Sequence, residues 1–178
     1  FIFTKKEQNI ICMPELGNNL ELLFDKLWPL CRSITGEGLR NSFKILKDII
    51  TLKLTEVPTG TKVFDWEIPE EWIIEDAYII TPNGEKICDF KKNNFHVVNY
   101  SSPIDATIEY DELVNNLHYL SNQPDAIPYI TSYYSRNWGF CLSKNHFDRL
   151  SKKGKYRVVI NSKFKSGSLT YGDLVLPG

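Results

Sequence analysis

Apolar side chains recur at helical spacing in residues 20–31: Leu20, Leu23, Phe24, Leu27, Leu30 and Cys31 share one side, while Glu21, Asp25 and Lys26 take the other. The spacing predicts an amphipathic helix over residues 20–30, bent or ended in its last turn by Pro29, which has no amide hydrogen and crowds the preceding turn. Thr35 stands where an N-cap would begin a second helix over residues 38–50, with Glu37 near its positive end and Leu39, Phe43, Leu46 and Ile50 as the buried stripe. The connection, residues 32–38, is short, as expected between helices that pack on one another.

Residues 52–57 read as a strand, and Pro58-Thr59-Gly60 then breaks the pattern. Beyond the break the period is mostly two. Phe64, Trp66 and Ile68 alternate with Asp65 and Glu67, which predicts a strand ended by Pro69. Residues 73–80 and 86–90 flank Thr81-Pro82-Asn83-Gly84, a hairpin in which Pro82 presets the turn and Gly84 can adopt positive φ. Further strands are expected over residues 96–100, 107–110, 156–160 and 168–176, the last burying Leu169, Tyr171 and residues 174–176. Asp111 begins a short helix carrying Leu113, Leu117 and Leu120, and Ser143 caps another through Phe147 and Leu150. Residues 127–140 concentrate aromatics in a non-helical context, a feature of either a core or a recognition surface.

Composition narrows the classes. The 178 residues are 42% hydrophobic and 24% charged, enough for one ordinary core or two small ones. Lys and Arg number 21 against 22 Asp and Glu, so no general field draws the chain to nucleic acid or an anionic membrane, and the basic stretch at residues 152–157 reads as a solvated turn. No apolar run approaches the roughly 18–20 residues of a membrane span, and residues 1–6 lack the pattern of a signal peptide, so a cytoplasmic chain is expected. Cys12, Cys31, Cys88 and Cys141 are far apart and read as reduced, mostly buried thiols. The start without Met and the close on Val175-Leu176-Pro177-Gly178 suggest a fragment.

Candidate chemistry is sparse. His96, His118 and His146 are separated by twenty or more residues and form no ligand pair on one helical turn; His96 reads as a hydrogen-bonded structural residue. No Gly-x-Ser-x-Gly elbow and no phosphate-binding glycine loop occurs. The adjacent carboxylates Glu70-Glu71 and Asp111-Glu112 read as solvated. Arg32 follows an apolar helix, and its fork of donors suits helix C-terminal carbonyls, a carboxylate or a substrate. Tyr133, Tyr134, Arg136 and Trp138 form either a ligand-facing wall for peptide or sugar, or core packing.

Several ordered motifs carry a resemblance. Leu27-Trp28-Pro29-Leu30-Cys31-Arg32-Ser33-Ile34-Thr35-Gly36-Glu37-Gly38 is followed by Val57-Pro58-Thr59-Gly60-Thr61-Lys62-Val63-Phe64-Asp65-Trp66. Asp89-Phe90-Lys91-Lys92-Asn93-Asn94-Phe95-His96-Val97-Val98, Tyr133-Tyr134 with Trp138-Gly139-Phe140-Cys141, and Gly167-Ser168-Leu169-Thr170-Tyr171-Gly172 complete the set. Together, over residues 20–178, the chain resembles bacterial proteins with an aminopeptidase-like domain.

The resemblance implies a zinc exopeptidase-like α/β domain interrupted by a β-rich domain of unknown function. In this chain the implied architecture is α+β: a helical peptidase-lobe portion over residues 1–60, an inserted β-rich domain over 61–163, and a return strand over 164–178. It also implies that zinc in the parent protein is held by residues following this segment, so no catalytic or metal-ligating residue is assigned here and no cofactor is expected in this chain. A peptide or amide-containing small substrate is the expected partner of the parent, with Arg32, Tyr133, Tyr134, Arg136 and Trp138 as substrate-contact candidates. Neither nucleic acid nor membrane is an expected partner. An unpaired strand over residues 168–176 would favour homo-oligomers. The alternative is a non-catalytic module that binds peptide or carbohydrate.

Overall fold

A computed structural model of the chain describes residues 13–176, with side chains from Leu20 onward; Cys12, the opening residues 1–6 and the final Pro177-Gly178 lie outside the described residues. The architecture is α+β. Helices α1 (Met13–Leu27) and α2 (Glu37–Lys47) precede strand β1 (Lys53–Pro58), and a small hairpin of β2 (Lys62–Val63) and β3 (Trp66–Glu67) follows. The long strand β4 (Glu71–Ile80) leads into β5 (Lys86–Ile87), β6 (Ile104–Glu109) and α3 (Tyr110–Leu113). Short strands β7 (Leu117–His118) and β8 (Phe140–Cys141) and helix α4 (Lys144–Phe147) then lead to β9 (Lys155–Lys165) and β10 (Ser168–Asp173).

The main sheet is antiparallel with strand order β5-β4-β9-β6, and a separate ribbon pairs β1 with β10. Along β9, Tyr156, Val158 and Ile160 point into the core and are at most 1% exposed. β4 lacks clean alternation because it carries a bulge: the register passes from Ile74↔Ser162 to Asp76↔Asn161, leaving Glu75 as the extra residue. The bulge shifts the parity of the strand, so Trp72 and Ile74 before it share a face with Ala77 and Ile79 after it. Irregular chain covers that face. Cys88, Val97, Tyr100, Leu113, Leu117, Phe140 and Leu142 complete the core, and the Ser101 carbonyl accepts hydrogen bonds from Trp72 Nε1 (2.9 Å) and Ser162 Oγ (2.7 Å). The opposite face carries exposed pairs such as Arg157–Asp105 (3.1 Å) and Lys163–Glu75 (3.2 Å), which contribute little to stability.

The hairpin at Thr81–Gly84 forms as the turn residues predict, with Gly84 at φ 85° and its N–H donating to Thr81 O at 2.9 Å. Other expectations are corrected. α1 ends at Leu27, short of residue 30: the Trp28 amide still reaches Phe24 O at 2.8 Å, but Pro29 has no amide to continue the ladder. Its apolar stripe is not buried, since Leu20 and Phe24 are 57% and 60% exposed. Thr35 does not cap α2. Gly36 occupies the N-cap position without a side-chain bond, and Thr35 turns inward. Gly38 is required for packing, because a Cβ there would sit 1.9 Å from the Cys31 carbonyl oxygen. α2 stops at Lys47, leaving Ile50 exposed.

Residues 64–68 form no continuous strand, because the chain reverses at Phe64, which sits at φ 56° and is fully exposed at the tip of the β2–β3 hairpin. Residues 96–100 make only isolated bridges, at Val97 and Asn99. The helix begun near Asp111 lasts one turn and a short 3₁₀ stretch before Leu117 enters β7, where strand pairing with Phe140 replaces helical bonding. β10 ends at Asp173, where its partner β1 begins at Lys53, so Leu174–Leu176 lie exposed beyond the pairing; Thr170 is buried and Tyr171 exposed.

Glu71 joins these parts. Its side chain is 4% exposed, yet it accepts Arg40 Nη1 and Nη2 at 2.7 and 3.0 Å and the Ser168 backbone N–H at 3.0 Å, with Lys165 Nζ at 3.7 Å. The reading of Glu70-Glu71 as a solvated pair is therefore wrong for Glu71. The Arg40 hydrogen bonds hold its carboxyl below the ordinary range. A depressed folded-state pKa contributes stability that is complete above the unfolded carboxylate range, and that contribution is lost as pH falls through the folded value. Glu71→Gln is expected to cost about 3–5 kcal/mol near neutral pH, as for breaking a buried pair, and the gap from wild type should narrow below about pH 4. Urea unfolding at several pH values measures this; an undiminished gap at the acid end would contradict the assignment.

Candidate functional site

A cleft of about 260 Å³ lies where the ends of β1, β4 and β9 meet the aromatic segment. Tyr100, Tyr133, Tyr134, Arg136, Glu70 and Phe164 are in its wall. Tyr100 forms its back. The residue is 3% exposed and sits at φ 69°, a left-handed conformation that a bulky side chain adopts only when its surroundings over-determine it. Those surroundings are visible. The ring stacks on Trp72 at 6.0 Å and meets Tyr133 edge-on at 4.9 Å. Its hydroxyl lies 2.5 Å from Thr35 Oγ1 and donates to Glu70 O at 3.1 Å, linking the entry to α2 with the start of β4.

On the open side, the Arg136 guanidinium lies 3.5 Å from the centre of the Phe164 ring and bonds Glu70 Oε2 at 2.5 Å. Tyr133 is half-buried, its hydroxyl 3.4 Å from that of Tyr129; burial, with the Tyr129 contact, pushes its phenol up, so it stays neutral at physiological pH. Tyr134 is 84% exposed. Aromatic faces, hydroxyls and a paired guanidinium can hold a polar ligand by stacking and hydrogen bonding. The cleft supplies no activated nucleophile.

The structure brings Tyr133, Tyr134 and Arg136 together and separates the other two candidates. Arg32 donates Nη1 to Leu27 O at 2.6 Å, closing the end of α1, and lines a different cavity of about 220 Å³. Trp138 lines neither and packs against the core. A further cavity, of about 600 Å³, lies at the Thr81–Glu85 turn beside His146 and Arg149 and contains none of the sequence candidates. Tyr100 and Glu71 escaped sequence reasoning. A backbone in the left-handed region leaves no mark at a tyrosine, and burial of a glutamate depends on partners distant in the chain.

The donor set does not suit a metal. Among the described residues no three His, Cys, Asp or Glu side chains converge. His96 Nδ1 is 2.8 Å from Cys141 O, and burial lowers the pKa of His118 and His146. Burial also pushes the thiols of Cys31 to about 11 and of Cys88 and Cys141 to about 12.

Comparison with known proteins places this geometry in a lineage. The family model described as "Domain of unknown function (DUF2172)" matches residues 71–163. A Clostridium acetobutylicum protein named "Putative polysaccharide biosynthesis protein with aminopeptidase-like domain" is 49% identical over 164 residues, which is 92% of this chain and 38% of that protein. A crystal structure of a "putative peptidase" from the same organism superposes with a TM-score of 0.82 at 50% identity, covering 89% of this chain and 37% of the other. The chain thus spans under two fifths of the length of these relatives.

Two outcomes follow from the site geometry. Tyr100→Phe should cost about 1–3 kcal/mol by stranding the buried Thr35 hydroxyl, whereas Tyr100→Phe combined with Thr35→Val should recover much of the loss; denaturation of the four proteins of the cycle gives the coupling. Native Cys31, Cys88 and Cys141 should resist iodoacetamide at pH 7.5 and label readily in urea. Peptide mapping reads this, and rapid native labelling of Cys88 would contradict the burial described.

Proposed function

Since the chain belongs to the DUF2172 domain family, we propose that it is the N-terminal portion of a zinc-dependent aminopeptidase-like hydrolase, to which it contributes a substrate-facing wall. The observation that carries the reading is the match of 92% of this chain to 38% of a longer protein named for an aminopeptidase-like domain. Residues 1–60 and 164–178 then belong to the peptidase-like lobe, and 61–163 to the inserted domain. The β1–β10 ribbon flanking the matched region supports that division. On this reading zinc is held by residues that follow this segment in the parent protein, as the resemblance of residues 20–178 to aminopeptidase-like proteins implies. The part left to this chain is binding: Tyr133 and Tyr134 offer aromatic faces, and Arg136, oriented by Glu70 and Phe164, offers donors.

The substrate class is a peptide or an amide-bearing small molecule, in a cytoplasmic setting. Among the described residues, no helix is long and apolar enough to cross a membrane. A two-stranded ribbon has two outer edges, which supports association of copies along β10. A second reading, a carbohydrate-binding module without catalysis, is favoured by the words "polysaccharide biosynthesis" in the relative's name and by the cleft's aromatic and guanidinium surfaces.

In the longer gene product, release of amino acid from aminoacyl p-nitroanilides should vanish with a chelator and return with zinc. Arg136→Ala there should raise KM about tenfold with kcat within about twofold, the signature of lost uniform binding. Chelator-resistant hydrolysis overturns the zinc assignment, and an unchanged KM overturns the role of the cleft. Saturable sugar binding by a product that hydrolyses nothing favours the module.

A further inference from the structure

The cavity of about 600 Å³ at the Thr81–Glu85 turn takes its walls from three stretches of chain: the β4–β5 turn, α4 with the residues after it, and the approach to β9. Local bonds hold each wall. In the β4–β5 turn the Thr81 N–H donates to Glu85 O at 2.9 Å and the Glu85 N–H to Thr81 Oγ1 at 3.0 Å. Ser143 Oγ accepts the His146 N–H at 3.2 Å, and the Arg149 N–H donates to His146 O at 3.1 Å. The Tyr156 hydroxyl donates to Ser151 O at 2.7 Å. Two of the walls touch, since a Cβ on Gly154 would lie 2.8 Å from Pro82 Cβ. The space is thus framed without using the charged side chains that line it.

Those side chains remain unspent. Glu85 and Arg149 are exposed and His146 is half-buried, and none of the three side chains has a hydrogen-bond or ion-pair partner among the described residues. All three line the one cavity. Burial lowers the His146 pKa, with Arg149 lowering it further and Glu85 raising it, so a guanidinium and a carboxylate both act on one ring that is uncharged at neutral pH. Pro82 and the half-buried Leu150 add apolar surface. A simple anion in this space would meet the Glu85 carboxylate, and a simple cation would meet Arg149. A molecule with both charges on an apolar body satisfies the two together.

We propose that this cavity binds a zwitterion with an apolar side chain, a free α-amino acid or a short peptide, its ammonium held by Glu85, its carboxylate by Arg149 and its side chain against Pro82 and Leu150. His146 adds a neutral hydrogen-bonding group beside them. The inference goes beyond the hydrolase reading, because it concerns a cavity apart from the aromatic cleft and requires neither metal nor turnover. Amino acids and peptides share this chemistry and differ in how far apart they carry the two charges.

The test is a ¹H–¹⁵N NMR titration of this chain with L-leucine and, separately, with leucyl-leucine. The expected result is a saturable shift of the Ile87, His146 and Leu150 amides with at least one probe; the one bound more tightly identifies the source of the zwitterion. Its N-acetylated form, which lacks the ammonium, and its C-amidated form, which lacks the carboxylate, should each bind about tenfold more weakly, comparisons that alter no residue of the protein. Glu85→Gln and Arg149→Met should each weaken the unblocked probe by about the same factor. Glu85→Gln should not weaken the N-acetylated form further, nor Arg149→Met the C-amidated form, because each pair has already lost one partner. Undiminished binding of either blocked form, shifts confined to Tyr133 and Tyr134, or no saturable shift at residues 81–87 and 146–151 would each overturn the proposal. Shifts at Tyr133 and Tyr134 alone would still agree with the proposed function.

Discussion

A carboxylate without water is the constraint on which this architecture turns. Glu71 opens β4 almost fully buried, and burying a charge costs several kcal/mol unless the geometry around it is good. The compensation comes from three places: Arg40 on α2, Lys165 at the end of β9 and the Ser168 amide at the start of β10. The β9–β10 turn presses so closely that a Cβ on Gly167 would lie 2.3 Å from the Glu71 carboxyl. Helix layer, main sheet and ribbon therefore cannot separate without stranding an ion. The residue before it, Glu70, serves the other side, its carboxylate taking Arg136 and its carbonyl taking the Tyr100 hydroxyl.

This joint sets where the aromatic cleft can form. Anchored through Glu70, the aromatic segment forms a cleft at the root of the ribbon, with Tyr100 held in a conformation it would not choose alone. On the other side of the α1–α2 connection, the clamp on Asn99 creates the second cavity. Thr35 and Arg32, three residues apart in that connection, face one cavity's backing and line the other. Leu20, Leu22 and Phe24 of α1, with Trp28 just beyond its end, leave apolar side chains exposed in a chain that spans under two fifths of the length of its relatives.

Much was legible in the amino-acid order because it depends on near neighbours. The helical spacing of residues 20–31, the Pro-Asn-Gly turn after β4, the Ser143 cap and the change of period after Pro58 all rest on interactions within a few residues, and each corresponds to an element or boundary in the fold. The motifs at residues 27–38, 57–66 and 89–98 carried the relationship to aminopeptidase-like proteins for a similar reason. Gly38, for instance, stands where no side chain fits against Cys31 O, a contact made within the connection itself.

What only the tertiary structure decided depends on partners far along the chain. The bulge at Glu75 reconciles a strand whose apolar pattern looks irregular, but it exists only in register with β9. Thr35 looked like a cap because its neighbours are helical; a tyrosine sixty-five residues away turned it inward. Glu71 looked solvated because adjacent carboxylates usually are, until Arg40 and Ser168 arrived from either end of the chain. The division of Arg32 from Tyr133, Tyr134 and Arg136 into two cavities is of the same kind. Local propensity is read from spacing, whereas the burial of a polar group is a property of the assembled surroundings that satisfy it.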